Sequence, residues 1–443
     1  MHEITILDYI LLPIYLLVLY AFAYVIRNHY YKDSHPLRKY FIPGLTVKLL
    51  GAILIGLIYH YYYKGGDTFD YFYHIKLING SLKEGVSVWW RSLTNTENVQ
   101  SDIEVAIAAK KYYVVTDTIT IWQISSILAL FCFSLYLPLS VIIAFLSFSG
   151  TWQIFKFFYL KYPQFIKPLA FTTLYIPTTV IWGSGLFKDT FCQMAIGWIL
   201  INGYYITQSK KITVLNICTF LLGAFLLYKI KIYIFMAFLP LMIVYMVSEK
   251  IISSKLKRLS IMVALIFSVL LYKSGSVIIN FFISESSKYS LSNIAEYTIR
   301  SRDYLLNTSN ETDGSSFDLG SFEPSFSGLL SKFWPSVNAT LFRPYIWESK
   351  KVLVLLSAMQ SLLALILTLV VVFRLISRNK ILLLFNNTIL FCLVFSIIFA
   401  FMLGISTSNF GSLSRYKIPL EPFFYSSLII LYFKTKRDKV ISL

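Results

Sequence analysis

The sequence predicts an all-α, polytopic membrane protein with about eleven transmembrane helices, and three observations lead to this fold class. Of its 443 residues, 57% are hydrophobic and only 14% are charged, whereas a soluble domain carries about 25% charged residues. The apolar residues form runs of about 20 residues, the length that a spanning helix needs. Lysine and arginine are concentrated in alternate connecting segments, as the topology of a membrane protein requires.

Eleven apolar runs are candidate spans. The first is predicted to be retained as a helix, because no basic segment precedes it and no small-residue cleavage site follows it. The stretch 138–158 continues into TWQIFKFFYLKY, and we interpret it as an amphipathic helix in the membrane interface. Uncertain ends and this stretch give a range of ten to twelve spans. The eleven candidates lie near 6–26, 43–62, 118–137, 168–184, 189–207, 212–228, 232–248, 261–283, 352–373, 382–403 and 418–433.

The distribution of basic residues predicts the orientation. Five of them lie in the short segments on one side: Lys188, Lys229, Lys231, Arg415 and Lys417. Twenty lie in the short segments and tail on the other side: Arg27, Lys32, Arg38, Lys39, Lys156, Lys161, Lys167, Lys210, Lys211, Lys250, Lys255, Lys257, Arg258, Arg374, Arg378, Lys380, Lys434, Lys436, Arg437 and Lys439. By the positive-inside rule the second side is cytoplasmic. The N-terminus is therefore predicted outside and the C-terminus inside.

Charge and motif content exclude several classes of function. The basic residues behind the net charge of +18 are distributed among the connecting segments as a membrane topology predicts. The charge therefore does not indicate nucleic-acid binding. The chain has neither a Walker A loop nor a dinucleotide-binding glycine pattern, which argues against chemistry driven by ATP. Its four cysteines lie in apolar runs, without the spacing of a disulfide framework or a zinc site. Most of the 22 acidic residues fall on the predicted outer face, so we expect the protein to act there.

The first candidate site follows the second span, where the sequence reads Gly65-Gly66-Asp67-Thr68-Phe69-Asp70. Two glycines allow a sharp turn at the end of the span. Asp67 and Asp70 share a face if a helix begins here. One alternative is structural, with Asp67 as the N-cap of that helix. The other is functional, with a carboxylate that orients an acceptor, takes its proton or holds a divalent cation.

Further charged residues lie at the outer ends of predicted spans. Lys188 and Asp189 stand in a tight hairpin, where a salt bridge within the turn competes with a polar cavity. Arg343 offers the fork that suits phosphate, although its aromatic neighbours also suit an interface belt. Arg415 and Lys417 lie in the stretch RYKIP. They either snorkel to lipid phosphates or bind a dedicated anionic ligand such as a lipid diphosphate.

This arrangement resembles the GT-C membrane glycosyltransferases, which take a sugar from a polyprenyl phosphate or diphosphate on the outer leaflet. Their shared module has seven spans, with a large outer loop after the first span and another after the seventh. With 43–62 as the first span, the two loops here are 64–117 and 284–351. The likeness implies a segment 1–42 with an extra span and a cytoplasmic loop, a module 43–351, and C-terminal spans with a basic tail at 352–443.

The resemblance also implies roles for the candidate residues. In the family an Asp opens the first outer loop, where Asp67 stands, and a further acid often sits where Asp189 stands. Asp67 would orient or deprotonate the acceptor, alone or through a divalent cation (Mg²⁺ or Mn²⁺) held with Asp189. Asp189 would assist it, and Asp70 is a further candidate catalytic residue. The stretch RYKIP is similar to a late basic element of polysaccharide polymerases. The leaving phosphate would be stabilised by Arg415, Lys417, Arg343 and Lys188.

Three functions are consistent with these features. The first is transfer of a sugar from a polyprenyl-linked donor to a glycan, lipid or protein acceptor at the bacterial inner membrane. The second is polymerisation of O-antigen or exopolysaccharide repeat units on the same carrier. The third is a lipid-saccharide flippase or other transporter, which predicts ionisable residues at mid-membrane depth. The chain departs from the family in its extra span, in Thr68 beside the first Asp, and in lacking a large soluble C-terminal domain.

Overall fold

The computed structural model describes residues 4–94, 116–208, 212–252, 298–299, 302–303, 306, 315–323 and 325–436. These residues are helical, apart from connecting segments and one isolated β-bridge between Ser316 and Asn409. The chain divides into two compact units. Unit 1 comprises Met1–Lys156, Leu174–Ile199 and Leu221–Tyr233, and unit 2 comprises Phe157–Thr173, Leu200–Phe220 and Ile234–Leu443. The segments predicted at 1–42, 43–351 and 352–443 stay a prediction.

Seventeen α-helices are described. In chain order they are α1 (Ile6–Tyr30), α2 (Arg38–Leu57, continued by a π-helical turn Ile58–Tyr63), α3 (Asp67–Gly80), α4 (Val86–Thr94), α5 (Thr116–Leu130), α6 (Tyr136–Lys161), α7 (Ile166–Leu174), α8 (Pro177–Trp182), α9 (Lys188–Gln208), α10 (Val214–Ile230), α11 (Ile232–Ile252), α12 (Phe326–Ser331), α13 (Phe333–Phe342), α14 (Val352–Ser377), α15 (Asn387–Ser406), α16 (Phe410–Tyr416) and α17 (Glu421–Lys436). The all-α class predicted from the sequence is confirmed for the described residues.

Six described helices are long and apolar enough to cross a membrane: Ile6–Tyr30, Arg38–Tyr63, Tyr136–Lys161, Ile232–Lys250, Val352–Ser377 and Asn387–Ser406. Five of them coincide with predicted spans. The predicted spans 118–137 and 212–228 correspond to shorter apolar helices, Thr118–Leu130 and Val214–Ile230. The predicted span 168–184 is interrupted between α7 and α8, and 261–283 lies outside the described residues. The total of about eleven spans therefore stays a prediction.

The interpretation of 138–158 as an interfacial helix differs from the structure. Residues 136–161 form one continuous helix, α6, and 72% of its most apolar window is buried inside the protein. The polar groups that suggested an interface are used within the helix packing. The Trp152 indole, for example, donates to the Tyr31 hydroxyl at 2.6 Å. Protein contacts, and not lipid headgroups, therefore explain the polar residues of this helix.

Helices α1 and α6 run in the same direction. At their N-terminal ends Asp8 accepts a hydrogen bond from the Leu137 backbone N–H at 2.9 Å. At the other end of α1, Tyr31 meets Trp152. If residues 136–161 span the membrane in place of 118–137, the number of spans does not change. Every basic segment then keeps its predicted side of the membrane. Helix α5 then belongs to the first outer segment, where it packs against α3.

In unit 2 the ten-residue helix α13 lies along the last turns of α15. Thr340 donates to the Ala400 carbonyl at 2.7 Å. A Cβ placed on Gly404 would lie 2.1 Å from the Ser336 carbonyl oxygen, so only glycine permits this approach. Helix α13 is therefore antiparallel to α15 and packs beside the C-terminal part of a candidate span.

Candidate functional site

The turn that leads into α3 depends on backbone conformations that favour glycine. Lys64, Gly65 and Gly66 have φ angles of 55°, 151° and 113°. Gly66 occupies the N-cap position, and Asp67 is the first residue of the helix. The structure thus assigns the cap to Gly66, and the alternative with Asp67 as the N-cap is not what is observed. Asp67 and Asp70 are both half-buried in the first turn of α3.

The turn before Asp67 packs on the same side chain as the second candidate site. A Cβ on Gly66 would lie 2.8 Å from a ring carbon of Tyr59. The centroid of that ring is 5.5 Å from the centroid of Phe187, immediately before Lys188. The two sequence motifs predicted to act on the outer face are therefore neighbours in unit 1, joined through Tyr59.

Asp189 is buried and paired with a residue outside the predicted site. Its Oδ1 lies 2.5 Å from the Lys231 ammonium, and the two side chains are 1% and 6% exposed. The preceding Lys188 is half-buried. The sequence left a salt bridge within the turn and a polar cavity as alternatives, whereas the observed bridge with Lys231 joins the start of α9 to the α10–α11 connection. The available signal was that Lys231 is one of the few basic residues on the predicted outer side.

The described residues do not form a metal site. Among residues 4–94, 116–208 and the other described ranges, no three His, Cys, Asp or Glu side chains come together as ligands would. The lysine ammonium also faces an oxygen of Asp189, where the predicted cation would need a ligand. Because Asp189 is paired with the Lys231 ammonium, the donor set of Asp67 and Asp189 does not fit a divalent cation.

Lys48 is buried inside the span that begins with Arg38. Its ammonium donates to the Gly183 carbonyl at 2.7 Å and to the Thr151 hydroxyl at 3.2 Å. A charge at this depth is the feature that the transporter alternative requires. Here the Lys48 ammonium has a structural role. Gly183 directly follows α8, and a carbonyl at the end of a helix has no partner within the helix, so Lys48 supplies the missing hydrogen bond. The amine fixes the hairpin that carries Asp189.

His74 was not identified from the sequence, although it lies on the face of α3 that carries Asp67 and Asp70. Its Nδ1 is 2.7 Å from the Asp70 carbonyl, and its ring stacks on Trp122 of α5 at 3.9 Å between centroids. Within the part of the chain that the structure describes, its Nε2 is buried without a hydrogen-bond partner. Burial lowers the pKa of His74, so the imidazole is neutral near pH 7. The sequence signal that could have identified His74 is its spacing from Asp67 and Asp70, which stand at i and i+3 when His74 stands at i+7.

In unit 2 the charge of Arg343 is already neutralised. Its Nε donates to the two carboxylate oxygens of Glu348 at 3.0 and 3.1 Å, and Nη2 donates to the same carboxylate. The guanidinium also lies over the rings of Phe317, Tyr345 and Phe410, at 5.3, 5.8 and 5.3 Å. Arg343 is therefore built into the protein, and its predicted contact with a phosphate stays a prediction.

Lys417 does not snorkel toward lipid. Its side chain is buried, with 3% exposure, and the ammonium donates to Ser361 Oγ of α14 at 3.2 Å. The same Ser361 hydroxyl donates to the Arg343 carbonyl at 3.1 Å. Arg415 is half-buried, and its guanidinium donates to the Tyr416 hydroxyl at 3.3 Å. Of the two outer cations in RYKIP, Lys417 is thus directed into the helix bundle.

Glu421 is a further buried acid, and it was not among the candidate site residues predicted from the sequence. It is the first residue of α17 and is 1% exposed. Gln360 of α14 donates to its Oε1 at 2.8 Å. Glu421 follows Lys417 by four residues, and its carboxylate acts to raise the pKa of that buried ammonium, against the effect of burial. The spacing of Lys417 and Glu421 was the sequence signal for this pair.

The predicted site residues are divided between the units. Unit 1 holds Asp67, Asp70, Lys188 and Asp189, and unit 2 holds Arg343, Arg415 and Lys417. No protein-family model, curated protein or solved structure matches the chain.

Proposed function

We propose that the chain is a membrane glycosyltransferase that moves a sugar from a polyprenyl phosphate or diphosphate donor to a glycan, lipid or protein acceptor. The observation that carries the proposal is the position of Asp67. It directly follows the end of a candidate span, it is half-buried, and the N-cap position of α3 is occupied by Gly66. A half-buried carboxylate in the first turn of a helix that follows a candidate span is well placed to bind an acceptor hydroxyl.

In the proposed reaction Asp67 accepts the proton of the acceptor hydroxyl. The hydroxyl oxygen forms a bond to the anomeric carbon of the donor sugar. The bond between that carbon and the carrier phosphate breaks, and the phosphate oxygen keeps the electron pair. The proposal assigns stabilisation of this negative charge to Arg415 and Lys417. Asp189 acts as a positioning residue, because its pairing with Lys231 holds the hairpin beside the Asp67 turn.

The test is Asp67→Asn in the purified full-length protein, with a polyprenyl-linked sugar donor and an acceptor library. The amide keeps the shape of the side chain but is not a base, so we expect turnover to fall by about 100-fold or more. The matched control is Glu84→Gln, which removes an exposed acid from the same outer segment. Near-normal transfer by Asp67→Asn, with an unchanged melting temperature, would remove Asp67 from the mechanism.

Polymerisation of repeat units is a second candidate, because the stretch RYKIP, in which Lys417 is buried, resembles a late basic element of polysaccharide polymerases. The chemistry of the two reactions is the same, since both displace a carrier phosphate. The length of the product separates them. One added unit on each acceptor indicates a transferase, whereas a ladder of repeat units on the carrier lipid indicates a polymerase.

A further inference from the structure

Three segments of unit 2 meet at Lys417. Helix α14 packs against both α16 and α17, and its Ser361 binds Lys417 on one side and the Arg343 carbonyl on the other. Ser361 lies nine residues after Val352, the first residue of α14, or about 14 Å along the helix. The irregular backbone after α13 is thus at the level of the interior of a candidate span. Such backbone is tolerated at membrane depth only inside protein or beside a polar cavity.

Buried hydroxyls without partners lie on the same helices. Ser357 stands one turn before Ser361 on α14, and Ser336 stands on α13; both are fully buried. Among the described residues, neither hydroxyl has a hydrogen-bond partner. Unsatisfied buried hydroxyls are unfavourable unless a ligand or water completes them. Together with Lys417 they leave polar groups on neighbouring segments whose hydrogen bonds a bound ligand or water would complete.

The second feature is the charge balance around Lys417. The titratable or charged side chains on the segments packed around it are Glu421 and Tyr425 of α17, Arg415 and Tyr416 of α16, and Arg343 after α13. The side chains that α14 contributes at this point, Gln360 and Ser361, do not titrate. Burial lowers the pKa of Lys417, and the Glu421 carboxylate acts in the opposite direction. Gln360 fixes that carboxylate through a hydrogen bond of 2.8 Å.

We propose that Glu421 is a positioning residue for phosphate binding: held by Gln360, it keeps the buried Lys417 ammonium charged and directed at Ser361, ready for the phosphate of the carrier lipid. This inference rests on the proposed function for the identity of the ligand. A buried ammonium is an effective phosphate ligand only while it is protonated, because the neutral amine has no charge to offer. A carboxylate one turn away maintains that charge before the phosphate arrives. Glu421 then acts through Lys417 and does not touch the phosphate itself.

The experiment compares Glu421→Gln, Lys417→Arg and the double variant in lipid nanodiscs. Binding of polyprenyl phosphate and sugar transfer are measured from neutral to alkaline pH. We expect Glu421→Gln to lose polyprenyl phosphate binding at a lower pH than wild type does. At mildly alkaline pH its affinity should be about tenfold lower than that of wild type. The double variant should regain binding at that pH, because arginine stays charged. A Glu421→Gln profile that superimposes on wild type would overturn the inference, as would a loss that is equal at every pH and is not rescued by arginine.

A milder variant and a substrate-free measurement keep the inference testable if Glu421→Gln is poorly folded or the ligand is wrong. Gln360→Leu removes the hydrogen bond to Glu421 and keeps both charges. The pH at which this variant loses phosphate binding should therefore move in the same direction as in Glu421→Gln, but by less.

Thermal unfolding against pH needs no ligand. Because the pKa of Lys417 is lowered by folding, the unfolded state binds more protons at alkaline pH, and stability rises with pH in that range. The rise should begin at lower pH in Glu421→Gln and be absent in Lys417→Met.

These measurements separate the two possible failures. If wild type neither binds polyprenyl phosphate nor transfers sugar while the unfolding profiles shift as expected, the proposed function fails and the coupling of Glu421 to Lys417 stands. If wild type binds and transfers while the unfolding profiles of wild type and Glu421→Gln coincide, the coupling fails and the proposed function stands.

Discussion

His74 of α3 shows how burial of a ring nitrogen without a hydrogen-bond partner makes the stability of a protein sensitive to pH. His74 is stacked on Trp122 and buried at the α3–α5 contact. Its Nδ1 faces the Asp70 carbonyl, so the proton of the neutral ring belongs on Nδ1 and the lone pair on Nε2. Protonation would place a second N–H, with a charge, in a buried position. The fold therefore favours the neutral ring, in agreement with the lowered pKa.

This gives a prediction for acid stability. Below the ordinary histidine pKa of about 6.5, the unfolded chain binds a proton that folded His74 does not. The free energy of unfolding should therefore fall as pH drops below about 6.5. Above that value the contribution of neutral His74 to stability should be fully present. His74→Gln should flatten this dependence, which thermal unfolding at a series of pH values would measure. His29→Gln, at an exposed position, is the control. Equal acid sensitivity of wild type and His74→Gln would contradict the prediction.

Arg343 gives a second prediction at this scale. It binds Glu348 through two guanidinium nitrogens, and both side chains are less than one-fifth exposed. Lysine keeps the charge but loses the fork and the stacking on the aromatic rings. We expect Arg343→Lys to lower the free energy of unfolding by about 1–3 kcal/mol. Arg91→Lys, at an exposed site on α4, should be neutral. An unchanged unfolding midpoint for Arg343→Lys, with reduced donor binding, would instead support a direct phosphate contact.

At the scale of the elements, the contact between α13 and α15 depends on one residue without a side chain. The Gly404 position faces the carbonyl of Ser336 so closely that a methyl group would have to move the backbone of α13. We expect Gly404→Ala to destabilise the protein by about 1–3 kcal/mol. Gly80→Ala is the matched control, because a Cβ there has no heavy atom within 4 Å. Similar unfolding midpoints for the two variants would show that α13 can move at little cost.

The same elements show what the sequence predicts and where it fails. Long apolar runs with basic ends, such as those of α1 and α14, were predicted because length and hydrophobicity are local properties. The long apolar helix at 136–161 was not predicted as a candidate span, because Thr151 and Trp152 suit an interface until their partners are known. Helix α13 was missed for another reason, since ten residues are too few to be recognised as a segment at membrane depth.

The candidate site shows the same division between local and tertiary information. Asp67 and Asp70 were identified because turn glycines and paired acids occur together in the sequence. The partner of Asp189 was not, because Lys231 is 42 residues away and only the tertiary fold brings them together. Likewise, the sequence could not decide whether Lys417 faces lipid or protein, since either direction is consistent with a residue just before a helix. Only the contact with Ser361 distinguishes them.

For the whole molecule, the firmest prediction concerns topology. The N-terminus and the α3–α5 segment are expected outside, and the α1–α2 connection inside. In a cysteine-free background, a cysteine at Glu84 should react with an impermeant thiol reagent in intact cells. One at Asp33, whose side chain is 94% exposed, should react only after the membrane is permeabilised. Because both positions are exposed, a difference between them reports sidedness and not burial. Labelling of the Asp33 position in sealed cells would reverse the orientation.

The contact between Asp8 and the start of α6 has a consequence for biogenesis. The first turn of a helix has backbone N–H groups without partners of their own, and a carboxylate placed there satisfies them. Here the carboxylate belongs to α1, which the ribosome delivers long before α6. Only 11% of the most apolar window of α1 is buried, so the helix is ready to receive a neighbour as soon as it has entered the bilayer. The hydrogen bond from Leu137 to Asp8 thus joins two candidate spans that are far apart in the sequence, and it sets the N-terminal ends of α1 and α6 at the same level.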